Sequence, residues 1–192
     1  GTEGGAAIAD LLFGDVNPSG KITMSFPYSV GQVPVYYNAF NTGRPKDEPV
    51  TEYVSKYLDI PNSPLLPFGF GLSYTTFEYG ELTLSNNNLT DDTSISVSIK
   101  VTNTGDRAGD EIVQLYIRDL VGEVVRPLKE LKGYENITLN PGETKEVTFT
   151  ITEEMLRYHH ADLQFTSDAG KFIAFVGTNS VETKEKEFVL VK

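Results

Sequence analysis

The sequence contains no cysteine and no tryptophan, and its two histidines are the adjacent pair His159 and His160. Without thiols the chain forms no disulfide, thiolate metal site, iron-sulfur cluster or cysteine nucleophile. Cysteine usage therefore does not indicate whether the protein works in an oxidising or a reducing compartment. Adjacent side chains of a strand point to opposite faces, so the histidine pair is not expected to hold a metal. We therefore expect neither a metal ion nor a cofactor.

Basic residues and long apolar runs are also scarce. Sixteen Lys and Arg stand against 27 Asp and Glu, which gives a net charge of -11. Phosphate binding draws on clustered basic residues, so nucleic acid is a poor partner for this surface. No apolar run approaches the roughly 18 residues that a membrane span needs. The sequence thus predicts neither a nucleic-acid nor a membrane partner.

The length of 192 residues allows one large domain, or one domain and a fragment of another, because domains usually have roughly 100 to 200 residues. The first residue is Gly1, and no charged-then-apolar leader follows it. We therefore expect the chain to belong to a longer or processed polypeptide.

Residues 1–30 have the pattern of one helix and one strand. Ile8, Leu11 and Leu12 follow helical spacing before Gly14, and residues 22–26 alternate between apolar and polar side chains. Because a lone strand cannot satisfy its backbone, we interpret residues 1–30 as the C-terminal end of an alternating α/β unit. We expect its apolar side chains to form an exposed patch that docks onto a companion chain or segment. These are Ile8, Leu11, Leu12, Phe13, Met24 and Phe26.

Residues 31–76 have no periodicity and are rich in proline and aromatic residues. Six prolines and eight aromatic residues lie between positions 31 and 75. The prolines exclude a long helix or a central strand, and the aromatic content argues against disorder. The pattern predicts an extended connector that packs on a surface.

From residue 77 to residue 192 the pattern is that of short strands separated by turns. Residues 95–101 alternate, a turn sequence follows at 103–106, and residues 112–118 form a second β-rich run, which together predict a hairpin. Further strands are expected around residues 147–151, 172–176 and 188–190, with one helical turn at 153–157. The fold class is therefore mainly β, an antiparallel fibronectin type III-like (immunoglobulin-like) sandwich.

A series of short motifs follows in order along the whole chain. Four come first: GTEGG (1–5), AIAD (7–10), LFGD (12–15) and NPSGK (17–21). Six come later: VPVYYN (33–38), NTGRP (41–45), PFGFGLSYTTF (67–77), VTNTG (101–105), RD (118–119) and LKG (131–133). Their succession resembles the C-terminal portion of bacterial family 3 glycoside hydrolases of the periplasmic β-glucosidase type.

The resemblance implies a longer enzyme with an N-terminal barrel, an α/β sandwich domain and a fibronectin-like domain. Residues 1–30 would then be the C-terminal end of the α/β sandwich domain. Such an enzyme removes terminal non-reducing β-D-glucosyl residues with retention, in the periplasm or outside the cell. The family nucleophile is an aspartate of the barrel, and the acid/base glutamate usually lies upstream of the segment that GTEGG resembles. No position here matches either, so no catalytic residue is assigned, and Glu3 is interpreted as a carboxylate favoured near a helix N-terminus.

Four connector residues have chemistry suited to a sugar, whose apolar faces stack on aromatic rings and whose hydroxyl groups bind polar side chains. They are Tyr36, Tyr37, Asn38 and Arg44. The same aromatic residues also suit packing between domains or an interface between two copies of the chain, so the sequence is also compatible with a homodimer.

Two functions follow from these observations. The first is a structural part that braces the upstream barrel and α/β domains of a β-glucosidase. The second is a non-catalytic carbohydrate-binding or protein-interaction module.

Overall fold

The computed structural model describes residues 1–44 and 52–192. Helix α1 spans Gly4–Phe13 and ends at Gly14, whose φ of 80° lies in the left-handed region that glycine adopts without strain. This confirms the predicted helix and its end. A short 3-10 helix, Val30–Gln32, follows in the connector.

Eleven strands are formed by the described residues after position 76. They are β1 Phe77–Tyr79, β2 Thr83–Leu84, β3 Asn88–Leu89, β4 Ser94–Asn103, β5 Gly109–Asp119, β6 Glu130–Leu139, β7 Thr144–Thr152, β8 Tyr158–His159, β9 Phe165–Thr166, β10 Gly170–Gly177 and β11 Thr183–Leu190. A 3-10 helix, Glu153–Leu156, stands where the sequence predicts a helical turn.

The long strands form two facing sheets. In the first sheet β4 is central and pairs with β1, β2 and β7; the second has the order β3-β11-β10-β5-β6. Strands β8 and β9 form a separate two-stranded hairpin. The alternating apolar residues of β4 are buried between the sheets, opposite residues of β5 and β10. The predicted fold class, a mainly β fibronectin type III-like sandwich, is confirmed.

The predicted hairpin between residues 95–101 and 112–118 is wrong, although both strands form. Strand β4 belongs to one sheet and β5 to the other. Asn103 explains the difference, because its side chain donates to the carbonyls of Arg107 and Leu139 and accepts from the amide of Gly105. These bonds shape residues 104–108 into an arch that crosses between sheets.

The predicted strand at residues 22–26 also does not form. This segment instead runs beside the connector: Ile22 donates to Phe70 and accepts from Gly69, and Phe26 donates to Leu66. One isolated bridge, between Phe26 and Leu66, results. Pro67 interrupts the pairing because it has no N–H to donate. The segment is thus extended, but without a continuous ladder.

Candidate functional site

Three of the four candidate sugar-contact residues lie at the surface of the connector. Tyr36 is exposed and borders a cavity of about 410 Å³ together with Tyr57 and Asn62. Asn38 and Arg44 are also exposed. Pro45, which ends the NTGRP motif, lies outside the described residues. Asn38 is thus open to solvent, whereas the exposed Arg44 guanidinium donates to the backbone carbonyl of Tyr53 at 3.5 Å.

The fourth residue, Tyr37, packs against the sandwich. Its ring stacks on Phe68 at 4.2 Å between centroids and meets the edge of Tyr116 in β5 at 5.8 Å. Its hydroxyl accepts a hydrogen bond from the backbone amide of Leu131, next to the point where the pairing of β5 with β6 shifts register. We call Tyr37, Phe68 and Tyr116 the aromatic anchor; it fastens the connector to the sandwich.

Gln114 extends the aromatic anchor into the sandwich. This side chain is buried, accepts a bond from the Tyr116 hydroxyl, and donates to the carbonyls of Gly69 and Thr178. Gly69 has a φ of 79°, and its backbone lies directly against the Gln114 amide. The connector therefore approaches β5 at a distance that only glycine permits.

A second junction joins the N-terminal segment to the sandwich through an ion pair. The Lys21 ammonium lies 3.0 Å from the Glu111 carboxylate and donates to the Thr178 hydroxyl at 2.9 Å. The side chains of Lys21 and Glu111 are only 10% and 5% exposed. Tyr79 donates to the same carboxylate at 2.7 Å, and burial followed by the Glu111 charge raises the Tyr79 pKa. A cavity of about 670 Å³ opens beside this pair.

Asn17 connects three parts of the chain. Its amide nitrogen donates to the carbonyl of Ala108, while its oxygen accepts from the Ser73 hydroxyl and the Tyr74 amide. Tyr74 in turn donates to the carbonyl of Leu11 in α1. The NPSGK motif therefore joins the helix, the connector and the β4–β5 arch.

Helix α1 buries none of its residues, although it is held at its end by these contacts. Leu12 is 73% exposed and Phe13 84% exposed. Other apolar side chains of the same N-terminal segment are exposed as well: Ile8, Leu11, Val16, Met24 and Phe26. The predicted apolar patch is thus present on the surface of this chain.

The buried carboxylates of the sandwich are bound to cations. Besides Glu111, Asp119 lies 3.4 Å from Arg126 and Glu153 lies 2.7 Å from Arg157. Bonds from Arg157, with help from Ser167 and Lys192, lower the Glu153 pKa to about 2, whereas burial raises that of Asp119. Both carboxylates are thus paired with an arginine, unlike a free nucleophile that stands beside a proton donor.

Within residues 1–44 and 52–192, no three His, Asp or Glu side chains converge in a way that would bind a metal ion. Across the same residues, no helix combines the length and the apolar character required to cross a membrane.

Two family models match the sequence. Residues 1–74 match the glycosyl hydrolase family 3 C-terminal domain, and residues 111–180 match the fibronectin type III-like domain.

Curated relatives align along nearly the whole chain. A periplasmic beta-glucosidase of Salmonella typhimurium is 50% identical over all 192 residues, which cover 25% of that relative. A beta-xylosidase of Formosa agariphila is 47% identical over 94% of this chain and 24% of its own length. The chain thus spans about a quarter of the length of the curated relatives that it matches.

Solved structures also match nearly the whole of this chain. A beta-glucosidase from Listeria innocua, crystallised with isofagomine, superposes with a TM-score of 0.93 at 43% identity. The match covers 99% of this chain and 27% of that one. The arrangement of connector and sandwich therefore resembles one that occurs inside a larger chain.

Proposed function

The chain is a C-terminal portion of a family 3 glycoside hydrolase, and from this we propose that it braces a retaining β-glucosidase whose catalytic carboxylates lie elsewhere. The observation that carries the proposal is the pair of junctions described above. They fasten both the N-terminal segment and the connector to the sandwich, while the apolar patch of α1 stays uncovered.

The bracing role rests on where the bonds are made. Lys21 with Glu111, Asn17 with Ala108, and Tyr37 with Leu131 each join residues about 90 positions apart. The sandwich thereby fixes the position of a helix that has no core of its own. A helix fixed in this way presents its apolar side to the rest of an α/β domain, which we propose as its partner.

The substrate and the compartment of the whole enzyme are proposed from the names of the relatives. We assign the whole enzyme hydrolysis of terminal non-reducing β-D-glucosyl residues, in the periplasm or after secretion. The Salmonella relative is named a periplasmic beta-glucosidase, whereas the Formosa relative is named a beta-xylosidase. Rates on aryl β-glucoside and aryl β-xyloside decide the sugar, and cell fractionation of the intact enzyme decides the compartment.

The docking of α1 can be tested with the Salmonella relative truncated to lack the residues that match this chain. We expect this chain to bind the truncated relative, and the double change Leu12→Glu with Phe13→Glu to weaken binding at least about a hundredfold. Each buried side chain of this size contributes about 1.5 to 3 kcal/mol, and 1.4 kcal/mol is tenfold in affinity. Light scattering and hydrogen exchange over α1 measure the association.

Val181→Glu is the matched control, because Val181 is also exposed but lies at the turn after β10. It should leave binding unchanged. Equal binding by the wild-type chain and the double variant would contradict the docking of α1.

The connector residues are proposed as substrate contacts within the assembled enzyme. Exposed Tyr36 beside Tyr57, with the exposed side chains of Asn38 and Arg44 in the same connector, supports this assignment, and Tyr37 would act by holding its neighbours in place. In the assembled enzyme, Tyr36→Ala is expected to raise the Michaelis constant for an aryl β-glucoside. An unchanged constant would leave the connector with a packing role alone.

A further inference from the structure

His160 is held between two groups that can only accept hydrogen bonds. Its Nδ1 lies 2.6 Å from a carboxylate oxygen of Glu123, and its Nε2 lies 3.3 Å from the backbone carbonyl of Thr166. A carboxylate oxygen of Asp168 is 4.0 Å from Nε2. A neutral imidazole carries one N–H, so only the imidazolium supplies a donor to both sides. The site is therefore built for the charged form of His160.

The surrounding side chains fix both partners of this contact. The Tyr158 ring stacks on His160 with 4.2 Å between centroids, and the Arg126 guanidinium lies 4.0 Å from the centre of the Tyr158 ring. Tyr158 donates its hydroxyl proton to Asp168 and accepts a bond from the backbone amide of Glu123 at 2.8 Å. Glu123 is thus held twice, through its amide and through its carboxylate.

Glu123 belongs to a loop, residues 120–126, that lies between the β8–β9 hairpin and the connector. The loop and the connector residues Asn41 and Gly43 line a cavity of about 400 Å³. Just beyond the loop, the amide of Leu128 donates to the carbonyl of Ala39 at 2.9 Å. The loop is therefore in contact with the part of the connector that carries the proposed substrate contacts.

We propose that His160 and Glu123 form a pH-sensitive latch, which holds loop 120–126 against the β8–β9 hairpin most firmly while His160 is charged and loosens when His160 loses its proton and keeps a single N–H. The latch rests on contacts of this chain alone and does not depend on the proposed function. Its release would open the wall of the 400 Å³ cavity.

The sign of the pH dependence follows from the charged groups around the latch. The bond from Glu123, with the charge of Asp168, raises the His160 pKa above its usual value of about 6.5. A raised pKa in the folded state means that the latch is fully closed below pH about 6.5 and weakens as the pH rises through the folded value.

Three more titratable or charged side chains lie close to the latch: Tyr158, Asp119 and Arg126. Burial and the bond to Asp168 raise the Tyr158 pKa to about 12, so this donor stays protonated throughout that range. Asp119, whose pKa burial raises, pairs with Arg126 on the side away from His160.

Nuclear magnetic resonance of the 192-residue chain tests the latch, because His159 and His160 give the only two imidazole signals. In the wild type, His160 is expected to titrate above pH 6.5, with both nitrogens protonated below its midpoint. Glu123→Gln keeps the shape and the backbone amide but removes the charge, so it should lower the His160 midpoint towards about 6.5. Glu135→Gln, at an exposed carboxylate of β6, is the matched control and should leave the midpoint unchanged.

Hydrogen exchange at the Glu123 amide measures the release of the loop. Its protection, corrected for intrinsic exchange, should fall from pH about 6.5 to the folded midpoint by at most about tenfold per pH unit, because opening releases one proton. In Glu123→Gln this fall should be smaller. A His160 midpoint that is ordinary in the wild type, a midpoint indifferent to Glu123→Gln, or Glu123 protection that does not change between pH 6 and 9 would each overturn the latch.

Discussion

Replacing Lys21 by methionine is expected to lower the free energy of unfolding by about 3 to 5 kcal/mol. Methionine keeps most of the volume but leaves the Glu111 carboxylate, whose side chain is 5% exposed, without its cation. The hydroxyl of Tyr79 would then be the main remaining donor to this carboxylate. An unpaired buried charge is costly because it has lost both water and its counter-ion. Urea unfolding followed by circular dichroism measures the change.

The control is Lys171→Met, at an ion pair of similar length. Lys171 and Glu187 lie 2.8 Å apart, but their side chains are 63% and 49% exposed. Solvent screens this pair, and its loss should cost at most about 1 kcal/mol. The double change Lys21→Met with Glu111→Leu removes both buried charges and should recover much of the stability. If Lys21→Met lowered the free energy of unfolding by no more than Lys171→Met does, the buried ion pair would not stabilise the junction as proposed.

Gly69→Ala is expected to cost about 2 to 5 kcal/mol, for two separate reasons. Alanine at a φ of 79° costs about 1 to 2 kcal/mol in any surroundings. The added methyl group would also overlap the side-chain oxygen of Gln114 and lie 2.9 Å from its amide carbon. Because Gln114 is bonded on three sides, it cannot move aside freely, and overpacking adds about 1 to 3 kcal/mol.

Gly142→Ala separates the two contributions. Gly142 has nearly the same φ, 74°, but no atom lies within 4 Å of the position that its Cβ would occupy. Its replacement should therefore cost only the backbone part, about 1 to 2 kcal/mol. Equal losses in the two variants would show that the connector can move away from β5, contrary to the close approach described here.

The strands were predictable where one face of the sheet is buried. Ile95, Val97, Ile99 and Val101 alternate with polar residues in the sequence, and all four are buried in β4. Such alternation is a local signal that survives folding unchanged. Helix α1 was predictable for the same reason, because its helical spacing and its terminal glycine are local features of the sequence.

The partners of strands were less predictable. A turn sequence at residues 103–106 favours a hairpin, yet Asn103 bonds to Leu139, which lies 36 residues further along the chain. That contact belongs to the folded sheet and leaves no trace in the local pattern. For residues 22–26, alternation was present, but the available partner was a proline-containing connector that could not continue a ladder.

The candidate site was predicted by chemistry but not by orientation. Tyr36 and Tyr37 are identical neighbours in sequence, and contacts with distant residues, the rings of Phe68 and Tyr116 and the amide of Leu131, decide which of them faces inwards. Lys21 and Glu111 are 90 positions apart, and Glu123 and His160 are 37 apart. No rule of sequence spacing predicts such distant pairs, so the contacts of the junction and of the latch could be identified only from the folded structure.

The most direct measurement of the bracing role is hydrolysis of an aryl β-glucoside by three samples, each verified by intact mass. They are this chain, the truncated Salmonella relative, and a mixture of the two. The account predicts that neither part alone hydrolyses the substrate and that the mixture does, because this chain completes the fold without supplying a catalytic carboxylate. Hydrolysis by this chain alone, or an inactive mixture in which the two parts are bound, would contradict it.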